Sequence, residues 1–243
     1  MKKKATERTP TVRMPLVLMY HSVDRRGDDP HLVTVSPGRF ERQMRWLKSS
    51  GRRGVSMIEL LDAQRAGQAR KLVGLTFDDG YADFLRHAVP ILVRFGFTAT
   101  VFVVTERIGD VNAWDEGPRK PLMNEDQLRA VVRCGMEVGS HGAQHRSLPS
   151  LEDDRLEQEL KQSRATLEEI LDRRVPGFAY PYGHVEPRVI SAVREVGYDY
   201  GCTIWGEHPG PHAIPRTYIG EKDGQLRLGA KLARHHLRWN VRR

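Results

Sequence analysis

The stretch LVGLTFDDGYADF, residues 72–84, decides how this chain is read. An apolar run of strand length climbs to Asp78 and Asp79 and then turns at Gly80. A short aliphatic run closed by a turn signal predicts a buried strand over 72–79. Adjacent carboxylates repel each other, and alone they read as a polar turn in which Gly80 supplies a positive φ. Successive side chains on a strand point to opposite faces, so only one of the two acids should face any one site.

The same pattern continues on both sides. PLVLMYHSV (15–23), TATVFVV (98–104), MEVGSH (136–141), GFAYPYG (177–183, broken at Pro181), YDYGCTIW (198–205) and AIPRTYI (213–219) predict further strands. Helices are predicted over 36–51, 82–96, 124–135, 151–174 and 186–197. Ser36 and Asn124 are placed to cap two of them, and Pro90 predicts a kink or break within 82–96. Alternating β and α units imply a parallel sheet, whose strands read as nearly continuous apolar runs because both faces are buried. About seven such units follow one another without a repeat or a low-complexity linker. An open doubly wound sheet and a closed barrel both accommodate them. Polar residues fall at the ends of several strands: His21, Asp78 with Asp79, His141 and Tyr182. A closed barrel gathers such ends around one mouth, so an α/β barrel is the fold expected.

The 243 residues suit a single large domain, with 29% charged and 39% hydrophobic residues as in a globular protein. The formal net charge of +8 is concentrated toward both ends. The organisation expected is a basic N-terminal segment (1–14), a barrel (15–220) and a basic C-terminal tail (221–243). Nucleic acid is not an expected partner. QLRLGAKLARHHLRW (225–239) is amphipathic enough for a weak contact with an anionic surface. Cys134 and Cys202 lack metal-type spacing and are expected as buried free thiols. The apolar run LVLMY (16–20) is too short for a signal or membrane-spanning segment, which makes the cytoplasm the expected location.

GSHGAQHRSL (139–148) places His141 and His145 four residues apart. One helical turn after the strand would put both imidazoles on one face. Two neutral nitrogens and one carboxylate suit a borderline divalent ion and leave positions open for water or substrate. One of Asp78 and Asp79 can supply that carboxylate, and the other can act as a general base.

Together, TFDDG (76–80) and SHGAQHRSL (140–148) resemble the first two motifs of the polysaccharide deacetylases, carbohydrate esterase family 4. The resemblance runs from about Leu16 to about Ile219 and implies a distorted (β/α)7 barrel in a single domain. It implies Asp78 as catalytic base, with Asp79, His141 and His145 as ligands of zinc or of another divalent ion such as cobalt, nickel or manganese. The family's third motif, Arg-x-Pro-Tyr, matches AYPY (179–182) at Pro181 and Tyr182, with Ala179 where the arginine would stand. The backbone N–H of Tyr182 inherits the role of oxyanion donor, and Pro181 and Tyr182 that of substrate contacts. Arg216, in IPRTY, is the candidate to replace the absent arginine as the brace of Asp78. LVLMYHSV (16–23) resembles the circularly rearranged branch that includes biofilm poly-N-acetylglucosamine deacetylases, in which this first strand carries the general acid, here His21. Trp114 and Asp115, in the loop NAWDEG (112–117), are placed to meet a sugar ring. Asp199 and Trp205 match the fourth motif too poorly to be assigned.

The implied function is metal-dependent removal of N-acetyl groups from an amino sugar or glycan, with release of acetate. Asp78 as carboxylate and His21 as imidazolium imply a bell-shaped pH–rate profile. The alternatives are an intracellular deacetylase of a small amino-sugar intermediate and an inactive glycan-binding barrel.

Overall fold

Arg216 marks the seam of a parallel barrel. The computed structural model describes residues 14–25 and 27–239. The strands are β1 (Val17–Tyr20), β2 (Ser22–Val23), β3 (Thr34–Val35), β4 (Arg53–Val55), β5 (Leu72–Phe77), β6 (Thr100–Val103), β7 (Glu137–Ser140), β8 (Gly177–Ala179), β9 (Tyr200–Thr203), β10 (Ile214–Pro215) and β11 (Thr217–Tyr218). The helices are α1 (Pro37–Ser49), α2 (Met57–Arg65), α3 (Val89–Phe95), α4 (Glu125–Arg133), α5 (Asp153–Leu171), α6 (Pro187–Glu195) and α7 (Gln225–Trp239). Hydrogen-bonded neighbours run β10-β9-β8-β7-β6-β5-β1-β11, and every pairing is parallel. β10 and β11 flank Arg216, the first pairing with β9 and the second with β1. One segment that changes partner at a single residue therefore nearly closes the barrel. Counting that segment once, with β1 and β5 to β9, gives seven staves.

Strand alternation sorts the side chains into two layers. Val73, Leu75 and Phe77 of β5 point outward and join Leu18, Tyr20, Phe40, Leu47 and Phe84 in the core beneath the helices. Tyr20 and Phe77 stack with ring centroids 5.2 Å apart. The lumen holds Val17, Phe102, Ala179, Tyr200, Cys202 and Ile214, with Met57 and Leu60 beside them. It is tightly filled: a Cβ at Gly139 would lie 2.6 Å from the Phe102 ring, and one at Gly177 2.1 Å from the Tyr200 hydroxyl. Side chains at either position would force the barrel apart.

The alternation carries upward to the mouth. Gly74 and Thr76 precede Asp78 on the inward side, Glu137 and Gly139 precede His141, and Val17 and Met19 precede His21. Each strand thus delivers one polar residue to the upper rim by period two.

Several expectations are adjusted. The kink at Pro90 takes the form of a π-helical turn over Phe84–Ala88 before α3. Proline lacks an N–H, and the wider turn absorbs the interruption. β4 and α2 were not expected; β4 is short and pairs with β5 outside the main circuit, and Ser56 caps α2 by accepting from the Glu59 N–H. Residues 225–239, expected as part of a basic tail, form α7, whose Leu228 and Leu232 are buried in the main core. Most of the expected basic N-terminal segment, residues 1–13, lies outside the described residues, as do 240–243. Cys202 is buried as expected, but Cys134 ends α4 exposed. Among the described residues, no helix is long and apolar enough to cross a membrane.

Candidate active site

The two acids of the 72–84 stretch diverge because the strand ends between them and the turn. Asp78 continues the inward row of β5. Asp79 would point away by alternation, but it adopts φ 74°, a left-handed conformation uncommon outside glycine. That torsion swings the second carboxylate back to the mouth, so both acids face one site. The expectation that only one could do so fails for this reason.

Asp79 meets the two histidines. Its Oδ1 lies 3.5 Å from His141 Nε2 and 3.5 Å from His145 Nε2. One donor atom from each of the three buried residues lies within 4.8 Å of the others. His141 and His145 do not share a helical face as expected. They are linked by a loop in which Gly142 (φ 82°) and His145 (φ 58°) are left-handed. Glu159 of α5 fixes this loop by accepting from the Gln144 N–H at 2.7 Å. His145, Asp79 and Tyr182 (φ 59°) are three non-glycine residues with strained backbone at one site. Such strain persists where the surroundings over-determine it.

This trio fits a divalent ion. His141 Nδ1 lies 2.8 Å from the carbonyl oxygen of Ala179, which can accept its proton and leave Nε2 free to ligate. Asp79 Oδ1 is buried and has no hydrogen-bond partner among the described residues. Separations of 3.5 Å match the edge of a tetrahedron with bonds of about 2.1 Å. Burial and the neighbouring Asp78 charge raise the Asp79 carboxyl well above its usual range. Burial lowers His141, and burial and His141 lower His145, so both imidazoles are neutral. A cation would relieve Asp79, and neutral histidines have lone pairs to offer.

Asp78 is held from the opposite wall. Arg216 Nη1 donates to its Oδ1 at 2.6 Å and Nη2 to its Oδ2 at 2.8 Å, a fork-to-fork pair with no exposure of the arginine side chain. Nη1 also donates to Thr76 Oγ1 at 3.2 Å, and the guanidinium lies over the Phe102 ring. Burial pushes the Asp78 carboxyl up, but Arg216, His141 and His21 together outweigh it and hold the group at about 2. Arg216 thus holds Asp78 from the seam, where Ala179 has no side chain that could.

His21 lines the same cavity and interacts electrostatically with Asp78, Arg216 and His141. Burial lowers its imidazole to about 4, against the opposing pull of Asp78. At neutral pH the resting ring is neutral.

The cavity holds about 500 Å3. The Tyr182 ring packs edge-on to His145 at 4.6 Å, and its hydroxyl donates to Asp115 Oδ1 at 3.0 Å. One face of Trp114 stacks on His145 at 4.6 Å, which leaves only its other face for a ligand. Pro181 is buried beneath the Tyr182 turn. Trp205 stands on the cavity rim, whereas Asp199 pairs with Arg174 and takes no part in the site. A larger cavity of about 680 Å3 lies at the opposite end of the strands. Glu137, the buried carboxylate there, accepts from Tyr200, Thr100 and the Ile58 N–H and serves the barrel floor.

Three contributors were not legible in the sequence. Tyr81 is buried beside the Asp79 carboxylate, and its hydroxyl favours the charged form. The Ala179 carbonyl orients His141. Glu159 anchors the histidine loop. Only Tyr81, an aromatic residue directly after the acid–glycine turn, carried any local signal.

Comparison with known proteins places this arrangement. YxkH of Bacillus subtilis (strain 168) is 28% identical over 189 residues, covering 77% of this chain and 63% of that protein, so this chain spans less than two thirds of that relative's length. The poly-beta-1,6-N-acetyl-D-glucosamine N-deacetylase of Staphylococcus aureus (strain MSSA476) is 24% identical over 202 residues, covering 77% of this chain and 68% of that protein. Among solved structures, the Streptococcus pyogenes deacetylase PplD in complex with acetate superposes with a TM-score of 0.78 at 26% identity, covering 91% of this chain and 98% of that one. The polysaccharide deacetylase family profile matches residues 65–201, more than half of the sequence and the span from β5 to β9 that carries Asp78, Asp79, His141, His145 and Tyr182. The chain is a member of the polysaccharide deacetylase family.

Proposed function

We propose that this protein is a metal-dependent carbohydrate N-deacetylase that hydrolyses the acetamide of an N-acetylated amino sugar or glycan and releases acetate. The observation that carries the reading is the placement of the Arg216–Asp78 pair beside the buried Asp79, His141 and His145 trio, in one cavity with His21. Asp79, His141 and His145 would hold the ion, which when bound supplies Lewis acidity and an acidified water.

The chain's own residues provide the rest. Asp78, ionised and locked in orientation by Arg216, accepts the proton of the attacking water. The Tyr182 N–H donates to the oxyanion as charge develops there, a contribution of about 3 kcal/mol for such a donor. His21 carries a proton to the leaving nitrogen. Because it is neutral at rest, it takes up within the cycle the proton that Asp78 received from water and passes it to the amine, which returns both groups to their starting state. Trp114, Asp115, Pro181 and Tyr182 form the wall against which the sugar is held. The Staphylococcus aureus relative favours a poly-N-acetylglucosamine substrate. A small amino-sugar intermediate is the second reading, tested by the same substrates at short length.

The deciding experiment measures acetate release from N-acetylated monosaccharides and oligomers, with metal content determined in parallel. Wild type should release acetate and contain a divalent ion. Asp78→Asn should keep the ion and lose turnover, and His141→Ala should lose both. Acetate release that survives both substitutions would defeat the reading.

A further inference from the structure

The helix that closes the described chain has two apolar faces, and only one is used. Leu228, Leu232 and His235 of α7 are buried against the body of the protein. Leu226, Ala230, Ala233 and Leu237 recur at spacings of four, three and four, which aligns them on the opposite side of the helix. All four are exposed, Leu226 by 91% and Leu237 by 68%. Arg227, Arg234 and Arg238 form a row along one flank of this stripe, also exposed. Lys231, beside them, is engaged by Asp223 and the Tyr218 carbonyl. An apolar stripe on the outer face of a helix already packed by its inner face has no folding role.

The sequence on either side of the described residues is basic as well. His235 Nε2 lies 3.3 Å from the Met14 carbonyl oxygen, so the described chain begins beside the last turns of α7. The residues before Met14 add Lys2, Lys3, Lys4, Arg8 and Arg13 against Glu7, and the residues after Trp239 add Arg242 and Arg243. The apolar surface also extends sideways. Leu32, 49% exposed, lines a cleft with Arg227, Ala230 and Arg234. Its carbonyl accepts from the Tyr218 hydroxyl, which ties the loop to β11. Asp28, Pro30, His31 and Val33 of that same loop line the active-site cavity.

We propose that this face docks on an anionic phospholipid surface, with Leu226, Leu237 and Leu32 entering the interface and Arg227, Arg234 and Arg238 meeting the headgroups. The inference is independent of the reaction proposed above. Exposed leucines on a helix with an arginine flank are the composition of an interfacial helix. A soluble polyanion would be met by the arginines alone, leaving the leucines without a function. Docking through this face would bring the loop at the cavity rim close to the membrane plane.

The test is co-sedimentation of the full chain with vesicles of phosphatidylcholine alone and of phosphatidylcholine mixed with phosphatidylglycerol. Retention is expected on the mixed vesicles only and should weaken with added salt. The variant Leu226→Glu/Leu237→Glu should lose retention while acetate release from a soluble oligomer and thermal unfolding stay unchanged. Leu226→Ser/Leu237→Ser is the second variant, should the acidic one fold poorly. Replacement of Arg227, Arg234 and Arg238 by glutamine should weaken binding about fivefold for each residue. Absence of wild-type retention on phosphatidylglycerol vesicles would overturn the proposal. So would retention that survives loss of both leucines, or equal binding to duplex DNA that ignores them.

Discussion

Arg216 reaches Asp78 from the one residue at which the barrel's closing segment changes partner. Its N–H donates to Thr203 on one side of the seam, while Ile219, beyond β11, donates to Met19 on the other. A seam residue has its backbone held by two strands, so its side chain enters the lumen from a fixed origin. That rigidity lets a long arginine act as an accurate clamp, with both forks engaged.

Arg216→Ala should therefore keep its metal and lose turnover by at least about a hundredfold. Removing one partner of a buried pair also leaves a stranded charge, and a stability loss of about 3–5 kcal/mol is expected by denaturant unfolding. The pH profile separates positioning from mere structure. Burial alone raises Asp78, and Arg216 is the largest force opposing it. Without the arginine the carboxyl rises, and the acidic limb of kcat/KM shifts to higher pH. Arg216→Lys supplies the charge without the fork and should restore stability more than turnover. An unshifted acidic limb in the alanine variant would show that Arg216 does not tune Asp78.

Linkage to Asp78 should also appear in the stability of the wild-type protein. Its folded value, about 2, lies below the ordinary 3.8. The carboxylate therefore stabilises the fold above the ordinary value, by about 2 kcal/mol, and this is lost as pH falls through about 2. Asp78→Asn should flatten the acid end of the stability curve, measured by urea unfolding in the metal-free protein. A curve as steep as the wild type's would place the acid lability elsewhere.

Metal binding should release at most one proton per ion near neutral pH, the one that Asp79 gives up wherever it is still protonated in the metal-free protein. His141 and His145 are already neutral there because burial lowers both, while Asp79 is raised and must ionise to ligate. Affinity should accordingly increase up to tenfold for each pH unit while Asp79 remains protonated in the metal-free protein. Calorimetric titration of the metal in buffers of different ionisation enthalpy counts the protons directly. Release of two or three would mean that the histidines are charged before binding.

These couplings show what the linear chain could disclose. His21, Asp78 and His141 each end an inward row, so strand alternation and the β/α order place them at one mouth without coordinates. Asp79 breaks that rule through a left-handed torsion that no alternation predicts. The histidine pair was legible as a pair, but its conformation was not, because Gly142, His145 and Glu159 replace the helical turn by an anchored loop. Arg216 could be nominated from an empty motif position. Its reach across the lumen became visible only when β10 and β11 proved to be two halves of one stave. The basic end of the chain read as a tail because its charge masked Leu228 and Leu232.

The resting charge of His21 sets the expected pH dependence of the reaction. Burial brings the imidazole to about 4, so from pH 6 to 8 its population hardly changes. Activity should therefore run level through neutrality, in place of a bell centred there. His21→Ala should lower kcat about a hundredfold or more with metal content intact. A descending limb near neutral pH that disappears in His21→Ala would instead show that substrate or metal restores an ordinary imidazolium.

Tyr81 offers the cleanest test of how the acid pair is kept unequal. Its hydroxyl favours the charged form of the Asp79 carboxylate, and it is buried beneath Lys120, whose ammonium lies 5.5 Å from the ring centroid. A hydroxyl donor at this carboxylate supports both its ionised form and its orientation as a ligand. Tyr81→Phe keeps the ring and its packing but deletes the donor. Metal affinity should fall about 10–100-fold, the range for loss of such a supporting contact, with little change in melting temperature. Turnover at saturating metal should recover most of its wild-type value, because Asp78 and Arg216 are untouched. Unchanged affinity would mean that the torsion at Asp79 alone is sufficient to aim the ligand.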